Sequence, residues 1–155
     1  MRGKFVRADG LVLPNNISRV GSQMILEAAF RNTVPTLFVA LVVGAPDAVM
    51  TMATMEEPTI GVNGYARIAI ERNAVGWPNS AEVAGERMIG TDWLTWTPTG
   101  TGFNKPVQRL ALIGSASGLG VGAPVYALSS AMPAPATLLA TTPVEQRRFK
   151  YEIFL

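Results

Sequence analysis

The residues of this chain that could take part in chemistry are few, and their spacing suits it poorly. The segment Gly114-Ser115-Ala116-Ser117-Gly118-Leu119-Gly120-Val121-Gly122 has the composition of a phosphate-binding loop. A dinucleotide loop needs a helix N-terminus directly after its glycines, so that backbone N–H groups and the helix dipole meet the pyrophosphate. Here Ala123-Pro124-Val125-Tyr126 follows, which opens a strand, and the Gly-Lys-Ser/Thr of a P-loop occurs nowhere. The expected role is a flexible hairpin turn. Ser115 and Ser117 sit in no Gly-x-Ser-x-Gly elbow, and a chain without histidine has no imidazole for a triad. The missing histidine also removes the usual general base near neutral pH and the commonest metal ligand. With no cysteine, disulfides and thiolate metal sites are excluded. Carboxylates remain, at Glu56, Glu57, Glu82, Glu86 and Asp92. Glycosidase-type work needs two carboxyl groups facing one another across a bond, whereas neighbours such as Glu56 and Glu57 point apart on extended chain. The expectation is a protein that is not an enzyme and takes no cofactor, metal or small-molecule substrate.

Composition points to contact rather than catalysis. Charged residues are 15% of the chain and apolar ones 48%, against about 25% charged in ordinary globular proteins. So thin a polar cover fits either a surface rich in Ser, Thr, Asn and Gly or, the favoured reading, a surface partly shielded by neighbouring subunits. The net charge of +2 is mild, and the cations gather only at Arg147, Arg148 and Lys150, which argues against nucleic acid. The longest apolar run, residues 37–43, falls far short of the roughly 20 residues of a membrane span. Arg2, Lys4 and Arg7 are followed by no secretory apolar core, so synthesis in the cytoplasm is expected. Buried core is the default for the tryptophans; Trp93 and Trp96 fall on opposite faces of a regular strand, which leaves room for at least one of them to face outward. Trp77, before Pro78, is the better candidate for a contact. Met50, Met52 and Met55 either fill a core or make an adaptable contact surface.

These residues must be held by a mainly β framework. Residues 1–16, with Gly3, Gly10, Pro14, Asn15 and Asn16, read as an extended arm with a short strand at 11–13. Ile17, Val20, Met24 and Ala28 share one face of a helix over 17–31, which Asn16 or Ser18 can cap and Val34-Pro35 must end. Residues 36–43 read as a strand covered on both faces, and 48–55 as a second strand or a loose crossing. Alternation predicts strands at 65–72, 92–97, 106–113 and 124–128, with 73–90 a long loop holding a short strand at 86–89. Residues 132–143 form a proline-rich loop with Leu138 and Leu139 inward. The last strand alternates Phe149, Tyr151, Ile153 and Leu155 against Arg148, Lys150 and Glu152. Together these predict an antiparallel β-sandwich of about seven or eight strands, one domain over 17–155.

Three features carry a resemblance. They are Pro14-Asn15-Asn16 before a helix and the strand Leu37-Phe38-Val39-Ala40-Leu41; Gly64-Tyr65-Ala66-Arg67 opening a strand; and Trp96-Thr97 before a Gly/Thr stretch, the strand 107–113, a small-residue turn and a closing strand pair. In this pattern the chain resembles the small β-sandwich virion proteins of tailed bacteriophages, found as capsid decoration (cement) proteins or in tail and fibre regions. It departs from them in the insert 75–90 and the proline-rich 132–143. The resemblance implies a capsid-surface protein, often trimeric, that bridges neighbouring copies of the major capsid protein with arms and loops. A tail or fibre-attachment component is the alternative, and a carbohydrate-binding module stacking sugars on exposed tryptophan is a second. The expected partner contacts are Phe5, Arg7, Leu11 and Leu13 of the arm, Trp77, Met50, Met52 and Leu119.

Overall fold

The computed structural model describes residues 2–31, 37–43, 55–71, 73–114 and 125–154. The sharp alternation at the C-terminus becomes the strand β10 (Arg148–Phe154), with Phe149 and Tyr151 buried and Arg148 and Lys150 on the other face. Along β10 runs β1 (Arg2–Arg7), antiparallel from Arg2↔Phe154 to Arg7↔Phe149. β1 turns back into β2 (Val12–Ile17) in the register Gly3↔Asn15 to Val6↔Val12.

The segment expected as an arm is therefore a hairpin inside the sheet. Phe5 and Leu13 face each other across it and lie in the core. Gly10 makes the turn at φ 97°, a conformation that only glycine adopts at no steric cost. Pro14 reads as a strand breaker, yet it sits between two neighbours. Arg7 N–H donates to the Leu11 carbonyl, which fixes the alternation and turns the Pro14 nitrogen away from β1. It faces Ser130, one residue past the end of the next strand, and the Ser130 carbonyl accepts the Ser129 hydroxyl instead. The one donor the proline lacks is thus replaced by a side-chain hydroxyl, so the proline is tolerated.

The helix α1 (Arg19–Arg31) begins two residues later than expected, with Ser18 as its cap: the Ser18 hydroxyl accepts from Gly21 N–H at 2.9 Å. Gly21 lets α1 lie on the sheet, because a Cβ there would stand 2.2 Å from the Tyr126 carbonyl oxygen. β3 (Leu37–Val43) is buried along nearly all its length and pairs with β8 (Val107–Ile113), and its two faces belong to different apolar clusters. That matches the expectation of a strand covered on both sides. The strand expected over 65–72 shrinks to β4 (Ile68–Ile70), and 92–97 shrinks to β7 (Leu94–Thr95). The long loop expected over 73–90 holds a full hairpin, β5 (Asn79–Val83) and β6 (Glu86–Gly90), closed by Ala84 and Gly85. β9 (Val125–Ser129) links β8 to β2, and a short 3-10 helix, Val144–Arg147, leads into β10.

The chain is mainly β, antiparallel, with one helix, as expected. The strands do not part into two facing sheets. They join in the continuous order β4-β3-β8-β9-β2-β1-β10-β6-β5, with β7 also on β10, and this sheet curls into a half-barrel. Its inner face gathers Phe5, Leu13, Val39, Leu41, Tyr65, Trp96, Phe103, Leu110, Phe149 and Tyr151.

Candidate docking face

Alternation that buries Phe5, Phe149 and Tyr151 must turn their neighbours outward. On β1 these are Arg2, Lys4 and Val6; on β10 they are Arg148, Lys150, Glu152 and Phe154. The register sets Lys4 opposite Glu152 and Arg2 opposite Phe154. β7 adds Trp93, since Thr95 pairs with Arg148 and Trp93 lies two residues along on the same side. Four cations thus share one face with two large aromatic rings, Phe154 buried beneath its cations and Trp93 half-buried.

Their geometry is specific. Lys4 Nζ lies 4.8 Å and the Arg2 guanidinium 5.0 Å from the centre of the Phe154 ring. The Trp93 ring carries Arg148 at 5.5 Å and Lys150 at 5.4 Å. Each such contact contributes about 0.5–1 kcal/mol at an exposed site and keeps a cation over a ring rather than loose in water. Glu152 lies between the lysines, 3.2 Å from Lys4 Nζ and 2.7 Å from Lys150 Nζ. Burial alone would raise its carboxyl, but hydrogen bonds and charge from Lys150 and Lys4 outweigh that and hold it below the ordinary carboxylate range. Arg2 also pairs with Glu86. Two carboxylates against four cations leave the face positive. Beside it Val12 and Pro14 of β2 are exposed, giving an apolar margin.

The other polar centre has a different character. Adjacent Glu56 and Glu57 diverge as expected: Glu56 pairs with Lys105 at the surface, and Glu57 turns to Arg67. The Arg67 side chain is 0% exposed, and its Nε donates to both Glu57 oxygens at 3.1 Å. The Tyr65 hydroxyl donates to Glu57 Oε2 at 2.7 Å and accepts from Leu41 N–H at 3.1 Å. Burial, and then the Glu57 carboxylate, push the Tyr65 phenol far above its ordinary value. This cluster fastens residues 57–67 to β3 and shows no side chain to a ligand. Among the described residues no group of three or more acidic side chains could hold a metal ion, and no helix is long and apolar enough to cross a membrane.

The expected contact residues scatter. Phe5 and Leu13 are core and Leu11 packs partly against it, so these three hold the fold rather than project from it. Arg7 is half-buried, 2.8 Å from Asp9. Trp77 is also half-buried, its ring edge-on to Tyr151 at 6.2 Å. Trp96 is buried and donates from its ring nitrogen to the Ala66 carbonyl, while Trp93, on the opposite side of the strand, is half-buried. Met50, Met52 and Leu119 lie outside the described residues. The face is not legible while Arg2 and Lys4 read as part of an arm. The signal was their alternation with Gly3 and Phe5, the same period as Arg148, Lys150 and Glu152 at the other end.

No protein-family model matches this chain, and comparison with curated proteins finds no relative.

Proposed function

We propose that this protein is a non-enzymatic structural subunit that acts by binding other protein subunits, with the outer face of β1, β7 and β10 as its docking surface. The observation that carries this is the pairing of four cations with the Trp93 and Phe154 rings around Glu152. Cations held over rings are preorganised, so they lose little freedom when a carboxylate arrives. The fitting partner is a protein surface rich in Asp and Glu, with apolar contact along Val12 and Pro14. In narrower form we read the chain as a capsid decoration subunit of a tailed bacteriophage, bound to the major capsid protein. That form is supported by the sequence pattern and by a charged fraction of only 15%.

The test is co-sedimentation of purified chain with undecorated heads of the phage that encodes it. Arg148 contacts Trp93 and leaves the Glu152 pairs alone, so Arg148→Glu changes the face without breaking its frame. The expected result is binding about tenfold weaker, or about 1.4 kcal/mol, with the wild-type affinity falling as salt rises. Equal binding by both proteins would reject the face as the docking surface.

A further inference from the structure

The hairpin β5–β6 ends the sheet. All five residues of β5 are exposed, and among the described residues no strand lies beyond it. Its turn decides which backbone groups face outward. Ala84 and Gly85 both have positive φ, 53° and 82°, the geometry of a two-residue primed turn. In such a hairpin the flanking residues Val83 and Glu86 exchange hydrogen bonds, and bonding then alternates. Asn79, Ala81 and Val83 therefore direct their N–H and C=O groups to β6, while Ser80 and Glu82 direct theirs away from the sheet. Of the usual guards of a free edge, residues 79–83 carry no proline, lysine or bulge, and their one charge, Glu82, is paired with Arg87 of β6. Val83 and Ile89 beside that edge are 42% and 41% exposed.

We propose that two copies of this chain pair edge to edge through β5, antiparallel, about a two-fold axis at Ala81. That register sets Ser80 opposite Glu82 of the second copy, twice over, so all four outward groups of each chain find a partner. It sets Ala81 against Ala81 at the non-hydrogen-bonded position, where strands approach most closely, about 4.5 Å between Cα atoms, and a small side chain fits best. Neighbouring registers are worse. An axis at Glu82 opposes two carboxylates, which is destabilising. An axis at Ser80 brings Pro78, which has no N–H, opposite the Glu82 carbonyl. In the Ala81 register Glu82 meets a serine hydroxyl, while its carboxylate keeps Arg87 of its own chain at 3.7 Å. The pairing extends the half-barrel sheet across the axis and partly covers Val83. It goes beyond the docking face described above and does not depend on it.

The experiment is sedimentation equilibrium of the full chain over a concentration series, with far-UV circular dichroism as a check on folding. The wild type is expected to rise from 16.5 kDa toward twice that mass. Ser80→Pro deletes an outward N–H without touching the β6 ladder, and Ala81→Lys places two ammonium groups together at the axis. Both folded variants are expected to remain monomeric at every concentration. If Ser80→Pro fails to fold, Ala81→Lys alone decides. A wild type that stays monomeric to its solubility limit, one that forms trimers, or a dimer that survives both substitutions would overturn the proposal. Arg148→Glu is expected to dimerise normally, so failure of the docking face and failure of the edge are separate results.

Discussion

Replacing Phe5 by alanine separates a core hairpin from a projecting arm. Phe5 is 0% exposed, with its ring 4.6 Å from that of Tyr151 and Leu13 opposite it across the hairpin. A buried phenylalanine removes about 150–250 Å² from water, worth about 4–6 kcal/mol at about 25 cal/mol per Å². Alanine keeps a little of that, and measured Phe→Ala losses run at about 3–5 kcal/mol. The expectation is a loss of about 4 kcal/mol, a large share of a domain's roughly 5–15 kcal/mol. The control lies in the same hairpin: Val12 is 48% exposed on the outer face, and Val12→Ala is expected to cost no more than about 0.5 kcal/mol. Urea unfolding followed by tryptophan fluorescence reads both. With a slope of about 2 kcal/mol per molar, Phe5→Ala shifts the midpoint down by about 2 M and Val12→Ala hardly moves it. If the two variants unfold together near the wild type, the N-terminal segment is not part of the core and the fold account fails.

Further expectations follow from single contacts. Gly21→Ala improves helix propensity by about 1 kcal/mol, but its Cβ would meet the Tyr126 carbonyl at 2.2 Å; we expect a net loss of about 1–2 kcal/mol, and a higher melting temperature would contradict the packing of α1 on β9. Arg67→Met leaves Glu57 without its buried guanidinium and is expected to cost about 3–5 kcal/mol, with Glu57→Leu added to it restoring much of the loss; denaturant midpoints of the single and double variants check this. Glu152 ionises below the ordinary 4.5 when folded, so its contribution is present above that pH and is lost as pH falls through the folded value. The stability gap between wild type and Glu152→Gln is therefore expected to narrow from pH 6 toward acid, and a gap that is flat or widens would contradict the assignment of Lys4 and Lys150 as its partners.

What the sequence shows plainly is what one segment decides for itself. β10 alternates because Phe149 and Tyr151 enter the core while Arg148 and Lys150 turn away from it, and Ser18 caps α1 as its hydroxyl allows. The helix face is less legible: Met24 is buried, but Val20, expected beside it, is 49% exposed, and Ile17 belongs to β2. The first sixteen residues hide their strands for a tertiary reason. Pro14-Asn15-Asn16 reads as the end of an extended arm, and the end of β9 at Ser129, with Ser130 beside Pro14, explains how a proline sits between two strands. β5 was hidden for the opposite reason: a strand exposed along its whole length packs against little and shows no apolar period. Tyr65 and Arg67 alternate like a strand, but a buried carboxylate rather than a neighbouring strand engages them. The docking face is likewise a product of register, since residues 2, 4, 93, 148 and 150 are distant in sequence and meet only once β1 and β7 lie on β10.

The proposal that this chain is a capsid decoration subunit, bound to the head through the β1–β10 face, is tested most directly by quantitative mass spectrometry of purified particles. Heads and tails would be separated and the copies of this chain counted in each, for the wild type and for Arg148→Glu. The account expects many copies per head in the wild type and a marked depletion in the variant. Recovery with the tails alone, or absence from the particle, would contradict it.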